Sequence, residues 1–183
     1  MDSVDILFWI IGGYILLLMH IWFHELGHYT VGRFLVRIPK ENIQIRLFQY
    51  PPHVALRDQD KNWIKPNDEE GNFVRTYFTY DPDGKRSFLF VMGGFILQSF
   101  IFLCIAFAIY YFVDNAMIAN FIIGGSFVFN IVYIVGDLMV FYWKRTPVGD
   151  TSSAFQFAPI KSALFIISLL LSYGVLYVYI GFY

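Results

Sequence analysis

Hydrophobic positions fall along this chain in four unbroken blocks, unlike the spaced stripe of a soluble helix or the alternation of a half-buried strand. The blocks cover about residues 6–35, 88–113, 117–143 and 162–182. Each is long enough to cross a hydrocarbon core as a helix, which takes about 20 residues. The alternating segments of roughly ten residues that build a transmembrane barrel are absent. Between the first two blocks lies a polar insert, about residues 37–87, with a different texture. In ENIQIRLF, Ile43, Ile45 and Leu47 alternate with polar neighbours, and NFVRTYFTYDPDG is rich in β-branched and aromatic residues ahead of a turn-forming Asp-Pro-Asp-Gly. Both stretches, residues 44–47 and 74–77 included, are expected as short strands, with one more between them. Some fifty residues of this hydrophobicity cannot build an independent core, so the insert should lie as a small β-rich element against the cytoplasmic face. The expected fold class is therefore all-α transmembrane: one membrane-embedded domain, residues 1–183, with four helical spans and a β-rich insert between spans 1 and 2.

Composition strengthens the membrane reading. Hydrophobic residues make up 57% of the chain and aromatics 21%, with a mean hydropathy of +0.55, which excludes an ordinary soluble domain. The first block reads as a permanent span and not as a cleaved signal, because Asp2 and Asp5 stand where a positive n-region belongs and no small-residue cleavage site follows. Charge distribution supplies the orientation. Of 13 Lys and Arg, 10 lie between Arg33 and Arg86, and the others are Lys144, Arg145 and Lys161, whereas the opposite span ends carry Asp2, Asp5 and Asp114. By the positive-inside bias the amino terminus is outside, the insert is cytoplasmic and the carboxyl terminus is outside. The expected location is a multi-pass cell membrane, and richness in Phe points to a bacterial source. Eight acidic residues accompany the basic ones of the insert, which argues against a nucleic-acid partner. The single cysteine, Cys104, offers no disulfide framework and no cysteine metal cluster.

The ionisable residues inside the spans carry the chemistry. They are His20, His24, Glu25, His28 and Asp137. A charge at the bilayer centre costs about 2.5–3.5 kcal/mol on insertion scales, so a group of them needs a compensating partner. His24 and His28 are four residues apart, which on a helix places them about 40° apart around the axis and roughly 6 Å along it. Both can reach one ion. The segment HELGH is the HExxH zinc pattern, in which the two histidines ligate the metal and the intervening Glu25 acts as general base on the water the metal activates. A surface helix with two histidines and a salt-bridging Glu would show the same letters, but within a span no solvent absorbs the cost. A catalytic zinc takes three protein ligands. Asp137 is the one carboxylate in the other spans, and it precedes Lys144 by about 10 Å of helix, against about 13 and 7 Å for His24 and His28 before Arg33. The depths agree, and Asp137 is the expected third ligand. Its alternative role is a helix-packing carboxylate bonded to a Ser or Tyr. His20 lies one turn before His24, as a second-shell partner or as a helix-helix hydrogen-bonding group.

HELGH in a membrane span, followed by a buried Asp in a later span, resembles the site-2 protease family of intramembrane zinc metalloproteases. The resemblance covers about residues 5–145. That family carries a Gly-Pro-x-x-Asn type sequence between its ligand helices; in MGGFILQSF, Gly94 matches the Gly, Phe95 replaces the Pro and Gln98 stands where the Asn would be. In NIVYIVGDLM, Asn130 precedes Asp137 and the Gly-Asp pair is inverted relative to the usual Asp-Gly, as in a divergent or minimal member. The resemblance implies a three-helix catalytic core and one Zn2+ per chain on His24, His28 and Asp137. Glu25 would be catalytic, and Gln98 and Asn130 would position substrate. The implied substrate is a membrane-embedded peptide or single-span protein, cut near the cytoplasmic side. Two other classes compete with this metalloendopeptidase reading. A metal or proton conduit would use the same buried ionisable residues, though four spans without an inverted repeat make a poor carrier. A catalytically inactive membrane-partner protein would keep the spans and lose the chemistry.

Overall fold

The computed structural model describes residues 3–66, 68 and 70–182; Asp2, which contributes to the orientation reading, lies outside them. In chain order the elements are α1 (Ser3–Thr30, continued by wider π-turns over Val31–Val36), β1 (Ile43–Arg46), β2 (His53–Arg57), β3 (Trp63–Ile64) and α2 (Asn72–Tyr80). There follow α3 (Ser87–Ala108, with π-turns over Ile109–Val113), α4 (Ala116–Lys144), α5 (Asp150–Phe157) and α6 (Pro159–Phe182). Among the described residues, four helices are long and apolar enough to cross a membrane: Ile6–Val36, Ser87–Val113, Ala116–Lys144 and Pro159–Gly181. Their outward faces carry exposed Leu7, Ile10, Phe100, Val132, Leu164, Leu171 and Val175, the surface of a protein whose solvent is lipid.

The first three spans stop where the backbone changes hand. Arg37 ends the first in the left-handed region (φ 69°), with its N–H on the Gly32 carbonyl, while the Arg33 guanidinium donates to the Ile38 carbonyl. Asp114 (φ 54°) turns the chain between α3 and α4, and the Asn115 side chain then caps α4 by accepting from Ile118 N at 3.0 Å. Arg145 (φ 58°) closes α4.

α3 is the central helix, touching α1, α4, α5 and α6. Its crossing with α1 depends on glycine. A Cβ on Gly27 would be driven into the Gly93 carbonyl oxygen, and one on Gly94 would lie 2.6 Å from the His24 ring. Backbone meets backbone there, as small residues allow in membrane helices.

The insert folds as a three-stranded antiparallel sheet in the order β1-β2-β3, with Ile43 opposite Leu56 and Ile45 opposite Val54. Its apolar face joins Ile43, Val54, Leu56, Phe73 and Tyr77 to Val36, Ile38 and Phe90, so the insert borrows its core from the ends of the spans. Within ENIQIRLF a strand forms as expected, over Ile43–Arg46, with Leu47 already in the turn that follows, but residues 74–77 form none: they lie within the helix α2. Two local features override their strand propensity. Phe73 and Tyr77, four apart, are both buried on one helical face, and the Asp68 carboxylate accepts from Asn72 N at 2.8 Å and Phe73 N at 3.0 Å, satisfying the first turn.

Candidate metal centre

The first span places His24 and His28 one turn apart on the face that meets α3. His28 Nδ1 donates to the Phe90 carbonyl at 2.8 Å, and since a carbonyl can only accept, the lone pair of this imidazole resides on Nε2. His24 Nδ1 donates to Gln98 Oε1 at 3.2 Å, and Gln98 Nε2 in turn donates to Asn130 Oδ1 at 2.7 Å. The two Nε2 atoms therefore face each other, 3.1 Å apart.

A carboxylate oxygen completes the group, and it belongs to Asp150. Asp150 Oδ2 is 2.6 Å from His24 Nε2 and 3.1 Å from His28 Nε2. Three atoms whose ordinary role is to accept thus converge on one point. A single proton bridges at most two of them, whereas a divalent cation satisfies all three. With metal–nitrogen bonds of about 2.0–2.1 Å at tetrahedral angles, zinc ligands sit roughly 3.3 Å apart, and the two longer separations here come within about 0.2 Å of that. The outer nitrogens of both rings are already anchored, the arrangement that orients histidines toward a metal. The donor set fits zinc.

Comparison with family models, curated proteins and solved structures finds no match.

Around this group, Glu25 is buried, within electrostatic reach of His24, His28 and Asp150, and makes no hydrogen bond among the described residues. The Tyr133 hydroxyl sits 3.4 Å from Asp150 Oδ2, and its ring lies against those of His24 and Phe95. From the insert, His53 at the start of β2 also falls within electrostatic reach of Glu25.

Asp137, the expected third ligand, is not brought to the histidines. Its Oδ1 accepts from Gly149 N at 3.0 Å and from Ser152 Oγ at 2.7 Å, and its Oδ2 accepts from Ser152 N at 2.8 Å. A carboxylate so placed answers the unpaired N–H groups of the first turn of α5 and opposes its dipole. Asp137 is the helix-packing carboxylate bonded to a serine, and what it packs is the helix that begins with Asp150. Gln98 and Asn130, expected to position substrate, are both buried and spent on orienting His24. His20 points away from the group: Nδ1 bonds back to the Leu16 carbonyl at 2.9 Å and the ring stacks on Phe102 at 3.9 Å between centroids.

Asp150 escaped the sequence reading because it follows Lys144 and Arg145 in a connector that hydropathy assigns to the aqueous side. One signal for it existed. TPVGDTSSAF places a Gly-Asp pair at the head of a short segment whose Thr151, Ser152 and Ala154 are fully buried, so the connector folds back onto α3, α4 and α6.

Proposed function

We propose that this protein is a zinc-dependent intramembrane endopeptidase, hydrolysing a peptide bond in or near the membrane segment of a peptide or membrane-tethered protein. One observation carries the reading: His24 Nε2, His28 Nε2 and Asp150 Oδ2 converge within 3.1 Å, with buried Glu25 in electrostatic reach, in a chain with four membrane-length helices among the described residues.

Zinc on these three atoms would supply Lewis acidity, bringing the pKa of water to about 7 and polarising the scissile carbonyl. The remaining steps belong to the protein. Glu25 takes a proton from the attacking water as the water oxygen bonds to the carbonyl carbon. It then delivers that proton to the departing amide nitrogen as the C–N bond breaks. The Phe90 carbonyl and Gln98 hold the histidine rings in the tautomer that presents Nε2 inward. Asp137 holds the first turn of α5, and with it Asp150. A substrate helix must unwind to be cut, because its carbonyls are already hydrogen-bonded. The outer edge of β1, unpaired among the described residues, supports capture of the unwound strand by edge pairing. The basic flanks support placing the insert and the cleavage on the cytoplasmic side.

The test compares purified wild type with Glu25→Gln, in proteoliposomes containing a panel of single-span peptides. The wild type should hold about one zinc per chain and cut a panel member, while Glu25→Gln should keep the zinc and cut at least about 100-fold more slowly. Undiminished cleavage by Glu25→Gln would remove the mechanism. Ion flux without peptide product in the wild type would replace it with a conduit.

A further inference from the structure

The fourth span lies away from the His24, His28 and Asp150 group, yet a buried polar path connects the two. Tyr173, on α6, is fully buried, and its hydroxyl lies against Ser99 of α3 and Ser126 and Asn130 of α4. These three are 0–3% exposed. None of Ser99 Oγ, Ser126 Oγ, Asn130 Nδ2 or the Tyr173 hydroxyl completes a hydrogen bond with a described protein atom. Four unmet polar atoms gathered among membrane helices are costly unless something polar joins them.

Their chemistry selects the guest. Three hydroxyls that both donate and accept and one amide N–H2 that only donates make a neutral set. A cation would find no carboxylate, and an apolar guest would leave all four unmet. Water, accepting twice and donating twice, matches them.

We propose that Ser99, Ser126, Asn130 and Tyr173 form a site for structural water, and that this site positions His24 through Asn130 and Gln98. The relay works through amide orientation. Water accepts from Asn130 Nδ2, so Asn130 Oδ1 turns toward Gln98 Nε2, 2.7 Å away. Gln98 must then present Oε1 to His24 Nδ1, 3.2 Å away, which keeps the ring proton on Nδ1 and the lone pair on Nε2. Each amide has one way round that satisfies both of its ends. The fourth span thereby acts on the tautomer of a histidine it does not touch. The last link rests on the metal-site reading; the water site does not.

Zinc affinity, by competition with a chromophoric chelator, and the visible spectrum of the cobalt(II)-substituted protein test the relay. Tyr173→Phe, which keeps the ring, and Ser126→Ala should each weaken zinc binding about three- to tenfold, less than the 10–100-fold typical of a direct partner such as Gln98. Both should shift the cobalt bands. In a Gln98→Ala background their effect should vanish, because the path is already cut. Tyr177→Phe, on the exposed face of α6, should change nothing. If the wild type binds zinc and Gln98→Ala weakens it while Tyr173→Phe and Ser126→Ala leave it unchanged, the relay is wrong and the metal site stands. Additive losses in the double variants would overturn the relay in favour of simple packing. A folded wild type that binds no zinc would overturn both readings.

Discussion

Asp137 accepts the backbone N–H of Ser152 at 2.8 Å and thereby grips α5 two residues beyond Asp150. The carboxylate in the third span and the carboxylate beside the histidines are different residues, one holding the other in place. Asp137→Ala should therefore weaken zinc binding about 10–100-fold without abolishing it, as loss of an outer partner does. Titration against a chelator of known affinity measures this. Complete loss of zinc from a folded Asp137→Ala protein would return Asp137 to the ligand set.

The α1–α3 crossing makes a second prediction. A methyl on Gly27 meets the Gly93 carbonyl, which is backbone and cannot swing away. Gly27→Ala should cost about 1–3 kcal/mol through overpacking and should loosen zinc as His24 and His28 shift against α3. Gly13→Ala, with nothing within 4 Å of its Cβ, should be neutral. Thermal unfolding in detergent compares the pair, and equal behaviour of the two would contradict the close crossing.

The four spans and the first strand were legible because block length and alternation are direct consequences of what surrounds each element. His24, Glu25 and His28 were legible because HExxH fixes their geometry within one helix. Asp150 was not, because its place beside the histidines comes from a connector that packs back onto the helices through tertiary contacts that no local pattern encodes. Counting residues along ideal helices does not say which way a side chain faces, and Asp137 faces Gly149 and Ser152. Residues 74–77 misled for a related reason: Val74, Tyr77 and their aromatic neighbours favour strands locally, but the Asp68 cap and the burial of Phe73 and Tyr77 favour a helix.

Tyr77 gives a pH prediction outside the spans. Its hydroxyl donates to buried Asp81 at 2.9 Å, and burial above all, helped by the Asp81 carboxylate, pushes its pKa well above the ordinary value, against the opposing effects of Ser87 and Arg86. The folded value exceeds the unfolded value of about 10, so this stability is complete below about pH 10 and drains away as pH rises toward the folded value. Tyr77→Phe should cost about 1–3 kcal/mol at neutral pH by leaving Asp81 short of a donor. The variant should also lose stability less steeply above about pH 10 than the wild type does. Unfolding curves from pH 8 to pH 11 decide it, and parallel curves would contradict the assignment.

The β1 edge makes a prediction about substrate. Along a strand, successive N–H groups point to opposite sides, so a proline scan of residues 43–46 removes donors alternately from the β2 ladder and from the open edge. Edge positions should lower cleavage while zinc occupancy is unchanged. Loss of zinc at every position would mean misfolding, and unchanged cleavage at every position would remove strand capture.

The central claim is that His24, His28 and Asp150 hold one metal ion. Metal analysis of detergent-purified protein never exposed to chelator, with wild type, Asp150→Ala and Asp137→Ala side by side, tests it most directly. The wild type should hold about one zinc per chain, Asp150→Ala none, and Asp137→Ala should retain zinc at reduced affinity. Full zinc in a folded Asp150→Ala protein, or none in the folded wild type, would contradict it.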